Sequence, residues 1–366
     1  MKTKTISKKR LTVVAIVCFA ILGNVSLMSQ NADNILLKNF RPVSLYKIPV
    51  TRIERAAFPI IDAHTHDYAK NDEEVKQWIR CMDACGIERS IVLTQTSGPE
   101  FDSIYNLYSK YSNRFDIWCG FDYTGYDKPG YGPAAVKELE RCFRMGAKGV
   151  GEEGDKGLGM FFNSPVKAWG MHFDDPRMKP LLEKCAQLGM PVSIHVADPI
   201  WMYEKMDSTN DGLMNAQEWR IDMKKTGIIG FDALLQTLEN ALKSNPKTTF
   251  IACHFANLNH DLAKLGLLFD KYPNFYADIS ARYAESAPIP RNMKIFYEKY
   301  QDRLLYGTDM SFDLSMYRTT FRILESNDEH FYETGLFGYH WALNGFSLPK
   351  EILKKIYHDN AVKILK

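Results

Sequence analysis

The chain has 366 residues, 45% of them hydrophobic and 25% charged, with 46 basic against 44 acidic side chains. That balance allows a large buried core, excludes a chain that is disordered through most of its length, and offers nothing that would attract nucleic acid. One barrel or two ordinary domains fit the length equally well.

The first 29 residues stand apart. Lys2, Lys4, Lys8, Lys9 and Arg10 precede the apolar run LTVVAIVCFAILGNVSLM, and Ser29 offers a cleavage point, which is the layout of a secretory signal peptide. Its removal takes away five positive charges and turns the formal net charge from +2 to −3. The sequence therefore predicts export to the periplasm or beyond, with an uncleaved membrane anchor as the alternative. Six cysteines follow, Cys81, Cys85, Cys119, Cys142, Cys185 and Cys253. They fall singly in apolar stretches with no CxxC pair, which predicts buried thiols rather than a disulfide framework.

Residues 30–58 are polar and mixed and read as an extended arm or short strand. From residue 59 one rhythm repeats. The β-rich runs PIIDAH, RSIVLTQ, FDIWCGF, AKGVGE, PVSIHVA, TTFIACH, NFYADIS and RLLYGTD alternate with amphipathic stretches such as DEEVKQWIRCMDACG, AAVKELERCFRMG and FDALLQTLENALKSNP. Eight strands alternating with helices predict parallel pairing through right-handed crossovers, and a closed (β/α)8 barrel of the TIM type over residues 59–366. An open doubly wound sheet is the runner-up, although no GxGxxG or P-loop sequence supports it. KEILKKIYHDNAVKIL at the C-terminus would close the ring or pack over it.

In a barrel the mouth lies at the C-terminal ends of the strands. Those ends carry His64 and His66 after the first strand, Glu152 and Glu153 after the fourth, His195 after the fifth, His254 after the sixth, Arg282 after the seventh and Asp309 after the eighth. His64 and His66, two apart, share one face of a strand. Imidazoles and carboxylates converging with room for water are what a catalytic divalent ion requires. Singly, each has a plainer use: His254 as a hydrogen-bonded core residue, Asp309 as a helix cap, the glutamates as a solvated pair, and Arg282 as the partner of a neighbouring acid. It is the constellation that carries the signal.

IIDAHTH, KGVGEE, PVSIHVADP, TTFIACH and LLYGTDM, in this order, resemble the metal-dependent hydrolases of the amidohydrolase superfamily. The branch is similar to the one that includes aminocarboxymuconate-semialdehyde decarboxylase and pyrone-dicarboxylate lactonase. The resemblance implies that His64, His66, His195 and Asp309 hold a divalent metal, usually zinc, with manganese as the alternative. It implies that His254 polarises the substrate, moves protons or ligates a second ion. Many relatives carry a carboxylated lysine after the fourth strand; here Glu152 is the expected ligand in its place.

With a metal on these ligands, Asp309 would act as general base in hydrolysis of a lactone, amide or ester. Arg282 would bind a carboxylate on a small, anionic substrate. Non-oxidative decarboxylation on the same scaffold is the alternative, and an exported metal-binding barrel without catalysis is the reading from another class. The expected partner is a small molecule, with self-association into a homo-oligomer left open. An insertion at about 200–230 contains DSTNDGLMNAQE, in which Asp207, Asp211 and Glu218 take positions 1, 5 and 12 of a calcium loop. Against that stand the missing apolar flanking helices. The competing expectation is a lid over the mouth, with Trp201, Tyr203 and Trp219 suited to cover a ring or sugar.

Overall fold

The computed structural model describes residues 32–365, so the expected signal segment at residues 1–29 lies outside the described residues. The described residues 32–40 belong to one unit and those from Arg41 onward to another. The described part of the first holds two short 3-10 turns, Ala32–Asn34 and Leu37–Asn39.

In the second unit the chain runs without strand or helix as far as Pro59, where an extended arm or short strand was expected. It is pinned on the way: Thr51 donates to the Asp328 carboxylate from both its backbone N–H (2.8 Å) and its hydroxyl (2.6 Å).

All eight expected strands form. They are β1 Ile60–Thr65, β2 Ile87–Leu93, β3 Phe115–Trp118, β4 Val150–Asp155, β5 Val192–Val196, β6 Phe250–Ala252, β7 Phe275–Asp278 and β8 Leu304–Leu305. β1–β2–β3 and β4–β5–β6–β7–β8 pair in parallel as two ladders. The ladders do not join as continuous sheet. Single backbone bonds bridge the seams instead: Cys119 N–H to Gly149 O and Gly151 N–H to Cys119 O between β3 and β4, and Ala63 N–H to Tyr306 O and Asp309 N–H to His64 O between β8 and β1. The architecture is a TIM barrel, with the strands in sequential order round the ring.

Between strands run α1 Asp72–Cys85, α2 Gly98–Tyr108, α3 Pro133–Met145, α4 Lys179–Leu188, α5 Phe231–Ser244, α6 Leu262–Lys271 and α7 Pro290–Tyr300, and α8 Leu314–Glu325 follows β8. Their ends obey local chemistry. Asn71 caps α1 by accepting from Glu74 N–H, and Gly86 closes it with φ 85°. Asp313 caps α8 through Ser315 and Met316 N–H, so Asp309 is not its cap. Two features escaped the sequence reading: an antiparallel ribbon, Gly159–Met160 with Ala168–Trp169, and a short helix, Leu213–Glu218, inside the insertion.

The core has two parts. A large cluster packs helices against strands, while Ile61, Ala63, Ile91, Leu93, Trp118, Ile251, Tyr276 and Leu305 form a second, with Ala361, Ile364 and Leu365 of the C-terminal helix packed into it. Those strand residues belong in the barrel interior, so the last helix acts as a plug. The interior is tight, since a Cβ on Gly149 would stand 2.4 Å from the Trp118 ring. The six described cysteines are unbridged thiols, Cys81 partly exposed and the others buried.

Candidate metal centre

β1 slips register between Asp62 and Thr65, and His66 lies just beyond its end. His64 and His66 nevertheless reach one place, with ring centroids 5.4 Å apart. His64 is brought in close by glycine, because a Cβ on Gly307 would stand 2.9 Å from the His64 Cβ. His64 Nε2 lies 3.7 Å and His66 Nε2 3.2 Å from Asp309 Oδ1.

β4 runs through both Glu152 and Glu153, so side-chain direction separates them. Glu152 turns to the histidines: Oε1 is 2.7 Å from His195 Nδ1, 3.5 Å from His254 Nε2 and 3.8 Å from His64 Nε2, and Oε2 is 3.5 Å from His66 Nε2. Glu153 turns away and accepts from Phe121 N–H, the Tyr123 hydroxyl and Asn163 Nδ2. The structure thus gathers His64, His66, Glu152, His195, His254 and Asp309 into one cluster, with His66 and Asp309 partly exposed and the others buried.

The proton positions fit a cation. His66 Nδ1 faces the Leu93 carbonyl at 2.8 Å, His254 Nδ1 the Ser280 carbonyl at 2.9 Å, and His64 Nδ1 the Asp278 carboxylate at 2.9 Å. Each of these acceptors favours the tautomer in which Nδ1–H donates to it, which in the neutral ring leaves the Nε2 lone pair pointing at Asp309 and Glu152. Neutral imidazole lone pairs facing carboxylates call for a positive charge between them, which a proton on Nε2 or a bound metal ion would supply. His64 Nε2 is buried and has no hydrogen-bond partner at all. This donor set, imidazole nitrogen and carboxylate oxygen, suits a divalent ion of the zinc or manganese kind.

Titration behaviour follows from the same crowding. Burial alone would push the His64, His66 and His195 pKa values down, but the carboxylates beside them outweigh it and each is raised. Glu152 and Asp309, against the cost of burial, are held well below the usual range by those histidines. His254 goes the other way, down to about 4, through burial and then the nearby positive charge of Arg282. Glu153, buried and turned from the cluster, is pushed up to about 7.

Arg282 is buried at the mouth, with Nε and Nη2 both donating to Asn257 Oδ1 (2.9 and 2.7 Å) and Nη1 to the Ala281 carbonyl. Its guanidinium is therefore fixed, and it lines a cavity of about 450 Å³ together with Lys156, His195, His254, Asp309 and Trp219. Lys156 in turn pairs with Asp198 at 2.9 Å. Trp201 does not line this cavity. It packs against His260 and Trp341, with Gly212 beneath its ring, so Trp219 is the insertion's tryptophan at the mouth.

Asp207, Asp211 and Glu218 do not gather. Asp207 accepts from the N–H and hydroxyl of Thr209, the chain enters a helix at Leu213, and Glu218 lines the cavity at the mouth instead. Among the described residues the convergent His, Cys, Asp and Glu groups all draw on the barrel mouth, and none includes these three. The calcium expectation gains no support from this geometry.

Sequence reasoning missed Asp278. Its Oδ2 holds His64, and its Oδ1 accepts from His254 N–H at 3.0 Å and Ser280 N–H at 3.0 Å. The one available signal was an acid inside the apolar run NFYADIS. Lys156 and Asp198 were missed too.

The family model described as Amidohydrolase matches residues 123–366. Comparison of the sequence with curated proteins gives no match. Solved structures with a similar fold include 2,6-dihydroxybenzoate decarboxylase from Rhizobium, at 16% identity and TM-score 0.50 over 84% of this chain and 98% of that one. Another is the dihydroxybenzoic acid decarboxylase from Polaromonas sp. JS666 with bound manganese and 2-nitroresorcinol, at 16% identity and TM-score 0.53 over 84% and 97%. A third is 5-carboxyvanillate decarboxylase from Novosphingobium aromaticivorans with manganese, at 14% identity and TM-score 0.50 over 87% and 99%. At these identities the likeness is one of fold.

Proposed function

The chain belongs to the amidohydrolase family, whose members around it are metal-dependent enzymes, and from that premise we propose that it decarboxylates a small, ring-bearing carboxylic acid without an oxidant. The observation that carries this reading is the wall of the cavity. Two cationic side chains, Lys156 and Arg282, stand beside the apolar and aromatic surface of Trp219, Leu336 and Phe337, above a floor of imidazoles and carboxylates. Such a space fits a flat apolar body and leaves Arg282 as the contact for its carboxylate, since Lys156 is held by Asp198 and Glu218 and Glu285 are acids on the same wall. The named neighbours act on dihydroxybenzoate and carboxyvanillate, and the substrate class comes to this chain by analogy with them.

His64, His66, Glu152 and Asp309 would hold the metal, with His195 and His254 beside Glu152. When bound, it supplies a Lewis acid that orients the substrate and polarises its oxygens. The remaining work falls to the chain. Arg282, locked by Asn257, offers a fixed positive charge. Loss of CO2 leaves the bonding electron pair on carbon, and one proton must take its place, so that R–COO⁻ and H⁺ become R–H and CO2. His254 Nε2 stands 3.5 Å from Glu152 Oε1 and 3.6 Å from Asp309 Oδ2, a position from which it could relay that proton. Hydrolysis is the second reading, because the same carboxylate and imidazole could serve an attacking water.

The test is the full chain loaded with manganese or zinc and given hydroxybenzoates, simple lactones and N-acyl amino acids. Release of CO2 with the ring product supports decarboxylation. Ring opening or amide cleavage without CO2 moves the assignment to hydrolysis. If the metal-loaded protein turns over none of them, the proposal fails.

A further inference from the structure

The approach to β1 carries a surface that has no task in the reading above. From Arg41 to Thr51 the chain is an arm without strand or helix. Val43, Leu45 and Val50 are 81%, 91% and 66% exposed, and Tyr46, packed against His330 with ring centroids 4.8 Å apart, keeps most of its surface in solvent. Single exposed apolar side chains are ordinary, but these four fall within eight positions of a segment fastened at Thr51, and together they form an apolar ridge. Positive charge accompanies it. Lys47 and Arg52 are exposed and make no ion pair among the described residues, and Arg55 stays at the surface as a donor to the Asp83 carbonyl. The acids that the arm touches are already engaged, Glu54 with Arg318, Asp328 with Thr51 and Arg322, and Glu325 with Ala57 N–H and the Tyr357 hydroxyl.

Two features decide what such a ridge can meet. The backbone of residues 42–50 makes no hydrogen bond among the described residues, which would invite a strand from another chain. Pro42 and Pro49, however, remove two of the N–H donors, and a second copy of the arm would set cation against cation. Anionic lipid headgroups offer the complement: negative charge for Lys47 and Arg52, water for the unpaired backbone, an acyl boundary for Val43, Leu45 and Val50, and the interfacial setting in which tyrosine is enriched. In the sequence the arm begins thirteen positions after the apolar run that ends at Met28, a run of the kind that brings a chain to a bilayer. We propose that this arm docks the barrel on an anionic membrane surface, with Val43, Leu45 and Val50 entering to headgroup depth and Lys47 and Arg52 meeting the lipid phosphates.

The experiment is limited trypsin digestion of the full chain, with the cuts after Lys47 and Arg52 followed separately by mass spectrometry. It is run without lipid, with vesicles of phosphatidylglycerol and phosphatidylcholine, and with vesicles of phosphatidylcholine only. The anionic vesicles are expected to slow both cuts about tenfold or more and to leave the cut after the exposed Lys225 of the insertion unchanged. Reading one vesicle type against the other keeps the comparison intact even where the apolar run itself inserts. Val43→Asp combined with Leu45→Asp, both at exposed positions, should return the protected rates to within about threefold of those without lipid. Equal rates with and without anionic vesicles, or equal protection by the two vesicle types, overturn the proposal. Protection without lipid that rises with protein concentration overturns it in favour of a second copy.

Discussion

Ile61, Ile91, Trp118, Ile251, Tyr276 and Leu305 fill the barrel and close on the C-terminal helix, whereas His64, Glu152, His195, His254 and Asp309 crowd the C-terminal ends of strands from the same ring. The filling keeps regular backbone. The rim does not: non-glycine residues with positive φ follow the strands at Gln95, Ala197, His254 to Asn257, Ala281 and Asp309. Left-handed backbone at such residues costs on the order of 1–3 kcal/mol apiece and persists only where the surroundings impose it. The interior therefore supplies stability that the mouth spends on holding like groups together in strained positions. β2 and β3, which end in Leu93 and Trp118, give their side chains to the filling; β2 adds the Leu93 carbonyl, which holds His66, and Gln95 beyond it donates to Glu152.

If that division holds, variants at the two places fail in different ways. Asp309→Asn should cost roughly 10²–10⁴-fold in kcat/KM with an unchanged near-ultraviolet circular dichroism spectrum. Steady-state assay on whichever compound the screen of acids, lactones and amides selects checks it, and near-wild-type activity would remove Asp309 from the chemistry. Trp118→Ala should lower unfolding free energy by about 3–5 kcal/mol, because a fully buried ring leaves a cavity next to Gly149. Urea titration measures that loss, and the molecules still folded should keep their turnover. A variant that unfolded easily and also lost its selectivity for metal would blur the boundary between filling and rim.

Asp278 sits on that boundary. In Asp278→Asn the retained amide oxygen can still accept from His254 and Ser280 N–H, while His64 loses its charged partner. Metal affinity should fall about 10–100-fold with kcat nearly intact at saturating metal. Competition with a chromophoric chelator reads this directly, and unchanged affinity would make Asp278 a purely structural acid.

The eight strands were legible because parallel strands write short apolar runs, and the mouth residues were legible because six of those runs, the first and the fourth to the eighth, give way to charged or imidazole side chains. Asp278 was hidden since it lies within its run rather than after it, and reaches the site sideways through His64. The left-handed turn at His254–Asn257 was hidden as well, for HFAN contains no glycine to announce positive φ. Long-range contact decided the rest. Trp201 and Trp219 are equally plausible lid residues in the sequence, and only the position of Trp341 and His260 turns one of them from the cavity. The calcium-like spacing of Asp207 to Glu218 followed the loop pattern, but the chain becomes helical at Leu213 and spreads those ligands apart.

The smallest effect concerns a charge at the rim that is not part of the cluster. Asp155 ends β4 three residues after Glu152; its Oδ2 pairs with His172 Nδ1 at 2.6 Å and its Oδ1 accepts from Gly157 and Gly159 N–H. The Asp155 hydrogen bond raises the His172 pKa above its ordinary 6.5, against partial burial. A histidine raised on folding contributes stability that is complete below 6.5 and is lost as pH climbs through the folded value. His172→Asn should accordingly cost about 1 kcal/mol at pH 6 and progressively less toward pH 9, as thermal unfolding at the two pH values would show. Metal affinity should not move, because Glu152 reaches the cluster from the other side of the same strand segment through His195 and not through Asp155. A pH-independent cost would mean the imidazole acts by packing alone. A change in metal affinity would mean that the loop after β4 tensions Glu152, and the rim would then have to be treated as one mechanical unit rather than as a site beside a scaffold.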